Sequence, residues 1–391
     1  MHGDTYSLMR GGPTHTLLSR LGLIGRRNGS AMWFAVLLVM VCLAPIAMAC
    51  ALDGTLWRQV PGGPIPLLGD YAVLARFLVA LPLLVLLAPR SDQILRVTIR
   101  QWLHSGLVPP SRERALTGAL LNMRRLRDSI SPELVCLLLA TVALSLPGPA
   151  IVDHLPGLAE WSVGPDGHPT QGGFWLRHVA TPLFRFVMLV WLWRLLLWAH
   201  LLWHLSRLQL DLHPAHPDGA GGLGFLGLAQ ERFAAVSVAN GIVLCGVFAN
   251  HMLYLGETLF TLRYLMVGYV IGASALVVAP LLLMSPTMIR AKRHGLLKFD
   301  ALANRMTRKF DRRWQRGADP DREEDLIDVN DSSALADFSA DYATVRGMSS
   351  LPISRWSLVR IALAAAVPLT PLALLAFSVD EIASKLFSLL A

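Results

Sequence analysis

Hydrophobic residues along the chain are gathered into long blocks that alternate with polar segments. Each block has about 20 residues, the length that an α-helix needs to cross hydrocarbon about 30 Å thick. We predict an all-α integral membrane protein with about seven transmembrane helices plus amphipathic cytoplasmic helices. The predicted spans are 31–52, 68–87, 132–152, 178–205, 233–255, 264–286 and 356–377.

The composition favours a membrane protein over a water-soluble one. Of the 391 residues, 54% are hydrophobic and only 16% are charged, a balance that soluble domains rarely show. The four cysteines all fall inside predicted spans, without a paired or CxxC spacing. We therefore expect Cys42, Cys50, Cys136 and Cys245 to be packing residues.

Basic residues are concentrated on one side of the predicted membrane. The segments 1–30, 90–127 and 290–355 carry four, eight and thirteen Lys or Arg residues, whereas the four opposite segments carry one each. Bacterial inner-membrane proteins keep their positive charges in cytoplasmic loops. The asymmetry therefore predicts a location in the bacterial inner membrane, with a cytoplasmic N-terminus and a periplasmic C-terminus. It also accounts for the net charge of +8, so no nucleic-acid partner is expected.

The predicted spans divide the chain into four parts. These are a cytoplasmic N-terminal tail (1–30), a transmembrane domain (31–289) with cytoplasmic loops at 90–130 and 206–232, a cytoplasmic helical segment (290–355), and a last span with an external C-terminus (356–391).

Two cytoplasmic regions show an amphipathic pattern. In the loop 90–130, an apolar stripe with interspersed arginines predicts a helix lying on anionic lipid headgroups, and 116–126 repeats the theme. Its members are Ile94, Leu95, Ile99, Trp102 and Leu103. In the segment 290–355, an acidic linker at 319–325 separates two predicted helices, the second capped by Ser332 or Ser333. The first has an apolar stripe formed by Phe299, Leu302, Met306, Phe310 and Trp314. These helices either pack under the membrane domain or present a docking surface to a partner.

The most distinctive segment follows the fourth span. A single helix is predicted from Arg177 to Asp211, about 50 Å long and so longer than hydrocarbon requires. It ends in a segment rich in His, Pro and Gly, residues 211–227, which we call the HPDG loop. Its candidate gate or ligand residues are His213, His216, Asp218, Gly219, Gly221, Gly222 and Gly224.

Three interpretations of the HPDG loop stay open. Imidazole and carboxylate groups at suitable spacing favour a divalent metal such as zinc. The ligands would be His200, His204, His213, His216 and Asp218. Gly219, Gly221 and Gly224 satisfy GxGxxG, which points to a phosphate group, although they follow a transmembrane helix and not a strand. The prolines and glycines also suit a rigid turn or a re-entrant gate.

The HPDG loop also carries a resemblance to a known group of proteins. The run HPDGAGGLGFL from His216 to Leu226, with SALADF at 333–338 and VRGM at 345–348, resembles a family of bacterial multi-pass inner-membrane proteins with no assigned function. The resemblance covers spans four to seven. It implies a helical membrane fold and singles out the loop, but it implies no activity or ligand.

Polar residues inside the spans form a second group of candidates. Charge in hydrocarbon is costly, so such residues are functional candidates by default. Asp70 and Glu257 are the predicted counter-charges for Arg185, and a structural ion pair competes with a solute pathway. Gly268 and Gly272 form a GxxxG pair that permits close helix contact and oligomerisation. The pathway candidates are Arg76, Arg185, Arg194, Asn240, Asn250, His251, Tyr254 and Glu257.

Three classes of function follow from these features. The leading hypothesis is a homo-oligomeric ion channel or transporter with the HPDG loop as a gate or ligand site, in a bilayer containing anionic lipids. The alternatives are a metal-dependent membrane enzyme and a scaffold that binds a partner through its cytoplasmic helices. The sequence lacks GxSxG, a Walker A motif and a nucleophilic triad, so no catalytic residue is assigned.

Overall fold

A computed structural model describes residues 7–23, 29–57, 65–142, 161–164, 167–314 and 329–376. In these ranges the regular structure is helical, apart from an isolated bridge between Val163 and Pro169. The helices are α1 (Pro13–Arg20), α2 (Gly29–Leu52), α3 (Tyr71–His104), α4 (Glu113–Asp128), α5 (Ile130–Val142), α6 (Gln171–Ser206), α7 (Phe225–Tyr254), α8 (Leu259–Leu282), α9 (Ser285–Trp314), α10 (Val329–Gly347) and α11 (Arg355–Ala376).

Six helices of the described ranges are long and apolar enough to cross a membrane. They are α2, α3, α6, α7, α8 and α11, and they correspond to six of the predicted spans. The predicted span 132–152 begins as the shorter apolar helix α5, and its second half lies outside the described residues. The all-α architecture is thus confirmed, and the six long apolar helices are consistent with a helical membrane protein.

Helix α7 forms the centre of the bundle. Its apolar stretch is 72% buried, whereas that of α8 is only 17% buried, and α7 packs against α3, α8 and α11. Gly246 permits the closest of these approaches, because a Cβ atom there would lie 2.8 Å from Ala75 Cβ and 2.9 Å from Ala72 Cα. A glycine at this position lets the backbones of α3 and α7 meet.

The two ends of the bundle are held by different contacts. At what we call the outer end, Asn250 Nδ2 donates to Asp70 Oδ1 at 3.0 Å, which ties α7 to the start of α3. At the inner end, Asp211 N donates to Leu107 O at 2.9 Å and Ser349 N donates to Gly219 O at 2.8 Å. Segments predicted to share a side of the membrane therefore share an end of the bundle.

Most residues of the amphipathic stripes predicted to lie on lipid pack on protein instead, although Leu103 is exposed. Helix α3 runs without interruption to His104, and Leu95, Ile99 and Trp102 are buried in a core at the inner end. Helix α4 buries Leu116, Leu120 and Met123 in the same core, against α6. The prediction of interfacial helices is wrong because long helices extend past the membrane-crossing length and offer these stripes a protein partner. At 1.5 Å per residue, the 34 residues of α3 and the 36 of α6 span about 50 Å.

Three predicted boundaries also change. Helix α6 ends at Ser206, before the predicted Asp211, and the chain then turns through Gln209, which has a φ of +40°. Helix α10 already begins at Val329, so Ser332 and Ser333 lie inside it and do not cap it. The acidic linker 319–325 lies outside the described residues.

Two helices contain a wide turn of π type near the outer end, Ala75–Ala80 in α3 and Leu176–Ala180 in α6. Each is followed within two residues by a proline, Pro82 or Pro182. Proline cannot donate the usual helical hydrogen bond and collides with the preceding turn, so a widened turn relieves both problems. Arg76 lies in the first of these turns.

The close approach at Gly246 predicts a stability difference between two glycine substitutions. Gly246→Ala should destabilise the purified protein by about 1–3 kcal/mol, because the added methyl group overpacks the contact with α3. Gly118→Ala in α4 is the matched control, because a Cβ there meets no atom within 4 Å. Thermal unfolding in detergent measures both. Equal melting temperatures for the two variants would contradict this close packing of α3 against α7.

Candidate functional site

Asp218 organises the HPDG loop from its centre. Its Oδ1 accepts hydrogen bonds from Ala220 N at 2.8 Å and Gly222 N at 3.1 Å, and its Oδ2 accepts from Gly224 N at 2.8 Å. His216 Nδ1 lies 2.9 Å from Oδ1. The carboxylate thus binds three backbone amides of the loop that follows it.

These contacts set the charge state of Asp218. Burial by itself would raise the pKa, but the amides of Ala220, Gly224 and Gly222, with His216, outweigh burial and hold the pKa below its ordinary value. Hydrogen bonds to the charged form favour that form. Asp218 is therefore an anion at neutral pH, and its charge is used within the loop.

The glycines let the HPDG loop dock against two other segments. Gly221 and Gly222 have φ values of +66° and +94°, which favour glycine. A Cβ at Gly221 would lie 2.8 Å from Met348 Cε, and one at Gly222 would lie 2.9 Å from Leu107 Cδ2. With Ser349 N on Gly219 O, the loop joins the inner ends of α3, α6, α7 and α11.

The loop does not turn back into the bundle. Leu223 and Leu226 are buried in the core at the inner end, and α7 runs unbroken from Phe225 to Tyr254. The interpretation as a rigid turn therefore agrees with the geometry, and a re-entrant segment does not.

The five predicted metal ligands are not brought together. His200 Nε2 lies 3.1 Å from His204 Nε2 within α6, while His216 and Asp218 form a separate pair in the loop. His213 Nδ1 lies 3.1 Å from Asp211 O. Within the described ranges, no group of three or more His, Cys, Asp or Glu side chains is placed to hold a metal ion. The early end of α6 separates the helical pair from the loop pair.

The GxGxxG pattern is already engaged. Of the glycines that form it, Gly224 donates through its amide to the Asp218 carboxylate and Gly219 donates to His216 O at 3.1 Å. Gly222, which lies within the pattern, also donates to Asp218. The loop binds an anion through its amides, as the pattern suggests, but that anion belongs to the protein.

Most of the pathway candidates at the outer end make contacts that hold structural elements together. Asn250 bonds both Asp70 and the amide of Tyr71, and Tyr254 Oη donates to Gly69 O at 3.0 Å. His251 Nδ1 pairs with Glu257 Oε1 at 3.3 Å. Asn240 lies half-buried deeper in α7. These contacts fit helix packing better than an aqueous vestibule.

The arginines in the spans lie in two places. Arg76 and Arg185 are half-buried towards the outer end, and the guanidinium carbon of Arg76 is 6.0 Å from the centre of the Phe184 ring. The predicted counter-charges of Arg185 have other partners, since Asp70 caps Val73 N and Glu257 pairs with His251. Arg194 lies apart from them, in a group that the sequence did not reveal.

That group is a buried charge cluster between α3, α4, α5 and α6. Asp92, Arg127, Glu133 and Arg194 are 0%, 5%, 5% and 3% exposed. Arg194 Nη2 lies 3.5 Å from Glu133 Oε1. Arg96 pairs with Asp92, and Asp128 with Arg127. We call Asp92, Arg96, Arg127, Asp128, Glu133 and Arg194 the charge cluster.

The N-terminal segment, residues 7–14, lies inside the charge cluster. Asp92 Oδ1 accepts from Ser7 Oγ at 2.6 Å and from Met9 N at 2.9 Å. Glu133 Oε2 accepts from Thr14 N at 2.7 Å. Arg194 Nη2 donates to a carbonyl of the segment, Gly11 O, at 2.8 Å. The predicted cytoplasmic tail is thus in part a buried stretch of chain.

Asp128 closes the cluster towards solvent. Burial would raise its pKa, but hydrogen bonding and charge from Arg127, with Gly12 N and Arg124, hold the pKa below its ordinary value. It lines a surface cavity of about 440 Å³ together with Leu121, Arg124, Arg125 and Ser129. The available signal in the sequence was a carboxylate, Glu133, at the start of an apolar block.

No family model, curated protein or solved structure matches the chain. The resemblance carried by the HPDG loop therefore stays a prediction.

The bonds to Asp218 predict a stability effect that depends on pH. Asp218→Asn should lower the free energy of unfolding by about 1–2 kcal/mol, near the lower end because the carboxylate is partly exposed. Since the folded-state pKa lies below the unfolded one, the carboxylate stabilises the fold above the unfolded pKa. This contribution is lost as the pH falls through the folded pKa.

Thermal unfolding of wild type and variant across acidic and neutral pH checks this. Their difference should be largest at neutral pH and should shrink in acid. Asp211→Asn is the control, because Asp211 is an exposed residue whose backbone, not its side chain, makes the loop contact. A control that loses as much stability would count against the assigned role of Asp218.

Proposed function

We propose that the protein is a bacterial inner-membrane ion channel or transporter, in which an ion or small charged solute meets the charge cluster. The observation that carries the proposal is Arg194. Its Nε and Nη1 atoms are buried without a hydrogen-bond partner among the described residues, while Nη2 contacts Gly11 and Glu133. Buried donors without protein partners are costly, and bound ions, solutes or water usually complete their bonds.

The proposed topology has seven crossings, with the N-terminus in the cytoplasm and the C-terminus in the periplasm. The distribution of basic residues supports the orientation. The seventh crossing is supported by the ends of its neighbours. Ile130 begins α5 beside the charge cluster, whereas Trp161 lies at the outer end, where its carbonyl and Cys50 both flank Gly172. The chain changes ends between these two residues.

In this proposal the HPDG loop couples helices and does not itself line the pathway. It is bonded to Leu107 behind α3 and to Ser349 before α11, and it joins α6 to α7. A shift of α6 that altered Arg194 would be transmitted through the loop to these helices. In this proposal a rigid loop affects opening of the pathway because it makes these helices move together. The proposed membership of the family of bacterial multi-pass proteins that share this loop agrees with a location in the inner membrane.

A scaffold is the second candidate, because α9 and α10 form a hairpin at the inner end. Phe299 stacks on Phe338 at 5.7 Å between ring centroids, and Tyr342 Oη donates to Asp300 Oδ1 at 2.6 Å. Leu297 on α9 is 69% exposed, which leaves an apolar side chain of this helix pair open to a protein partner. A metal-dependent enzyme is not proposed, since its five ligands divide into separate groups.

The transport proposal predicts that Glu133→Gln changes solute flux. Loss of this charge leaves Arg194 without its ion-pair partner at the proposed binding position. We expect a change in flux of about tenfold, equivalent to about 1.4 kcal/mol. Flux of chloride, potassium, sodium and protons through purified protein in liposomes is the measurement.

Glu257→Gln at the outer end is the matched control, because the same substitution there affects only the His251 pair. Its flux should equal that of the wild type. His216→Ala and Asp218→Ala test the coupling role and should alter the flux without abolishing it. Liposomes that conduct none of these ions under any voltage would remove the proposal of a conducting protein, and the scaffold would then be tested by co-purification.

We also propose that the chain is a homo-oligomer that meets its copies through α8. A Cβ at Gly268 or Gly272 would meet no atom within 4 Å, so this GxxxG pair contacts no other helix among the described residues. Tight packing at GxxxG needs a facing helix. Gly268→Leu should therefore shift the purified protein towards monomer, as measured by light scattering in detergent. Gly118→Leu, an equally open glycine in α4, should not. A monomeric wild type would contradict the proposal.

A further inference from the structure

We infer that the N-terminal segment, residues 7–14, is a reversible latch that closes the charge cluster from the inner end. The inference deepens the proposed transport function, on which it rests for its biological meaning. The geometry of the latch can be tested separately from transport.

The segment bonds to the buried charges through its backbone and through the hydroxyl groups of Ser7 and Thr14. Asp92 accepts from Ser7 Oγ and from the amides of Leu8 and Met9, and Glu133 accepts from the amide and hydroxyl of Thr14. The arginines bond to the same segment, since Arg127 donates to Ser7 O and Arg194 Nη2 donates to Gly11 O. Release of the segment would therefore leave four buried charges each short of a partner that a solute or water must replace.

Two glycines shape the segment to this cleft. Gly11 and Gly12 have φ values of +127° and +92°. A Cβ at Gly11 would lie 2.5 Å from Arg127 Nε, and one at Gly12 would collide with Glu133 Oε1 and lie 3.0 Å from Arg194 Nη2. A side chain at position 12 is excluded by its backbone conformation and by the charges around it.

The segment is attached to the bundle over a short stretch of chain. It has no regular structure before Pro13, and α1, which begins there, buries none of its residues. The attachment therefore consists of the polar bonds of residues 7–14 and of Leu8, whose side chain is fully buried in the core at the inner end, with Met9 packed against that core. The cavity lined by Arg124, Arg125 and Asp128 opens beside it, and Asp128 accepts from Gly12 N at 3.3 Å. Solvent thus already reaches the edge of the latch.

A native cysteine can report the opening. Cys136 lies one turn beyond Glu133 on α5, on the face that packs against α6, and it is 7% exposed. In the closed state its thiol is shielded from water. Removal of the latch would let water and polar reagents pass Glu133 towards it.

The experiment uses the full chain with Cys42, Cys50 and Cys245 replaced by alanine, so that Cys136 is the single thiol. The rate of labelling by a charged, membrane-impermeant thiol reagent is measured for the parent and for Gly12→Val. We expect at least a tenfold faster rate in Gly12→Val. Gly22→Val is the matched control, because Gly22 also has a positive φ, of +72°, at the other end of α1, but a Cβ there meets nothing within 4 Å.

A second variant guards against misfolding of Gly12→Val, which size-exclusion chromatography would reveal. Thr14→Val removes only the hydroxyl bond to Glu133 and should give a smaller acceleration in the same direction. If neither variant labels faster than the parent, or if Gly22→Val labels as fast as Gly12→Val, the latch is refuted. Faster labelling together with increased ion flux supports both proposals. Faster labelling with no flux in any variant leaves the latch standing and refutes the transport function.

Discussion

The ion pair between Glu133 and Arg194 holds α5 against α6 at a depth where neither charge meets bulk water. Removal of one member of such a buried pair commonly costs about 3–5 kcal/mol, because the other charge stays uncompensated. The neighbouring elements add charges and hydrogen bonds around this pair. Asp92 and Arg127 add further charge from α3 and α4, and the N-terminal segment supplies the amides and carbonyls that complete their bonds. Polar bonds between these elements therefore hold the inner half of the bundle together, in addition to its apolar core.

The outer half is assembled differently. There the helices meet through small residues and side-chain hydrogen bonds, as at Gly246 against α3 and at Asn250 against Asp70 and Tyr71. Such bonds fix helix register in an apolar setting and leave little freedom to rearrange. The inner end, by contrast, is closed by one short segment that bonds to buried charges. This asymmetry is why the transport proposal and the latch both concern the inner end.

The blocks of hydrophobic residues predicted the membrane class and the positions of six long helices, because the length of an apolar helix follows directly from membrane thickness. The hydrophobic pattern could not predict which residues far apart in the sequence contact each other. Leu95, Ile99 and Trp102 form a stripe that would suit a lipid surface or a protein core equally well, and only the fold shows that α3 continues into a core. Arg194 was a candidate by its depth, but its partner Glu133 comes from α5, 61 residues away in sequence. The binding of residues 7–14 had no periodic signal, because an irregular segment is held by contacts with other elements.

The HPDG loop shows how a sequence pattern can be physically sound and still mislead about its ligand. GxGxxG marks backbone that can turn its amides towards an anion, because glycine adopts the required conformations and leaves room for close approach. The loop does turn the amides of Gly222 and Gly224 towards an anion, but that anion is the Asp218 carboxylate, four and six residues earlier. A carboxylate of the same chain loses no translational entropy when the amides bind it. It stays charged at neutral pH, since these amides lower its pKa. The loop therefore holds this conformation without an external ligand, and it suits a junction that keeps α6, α7 and the segment before α11 in fixed register.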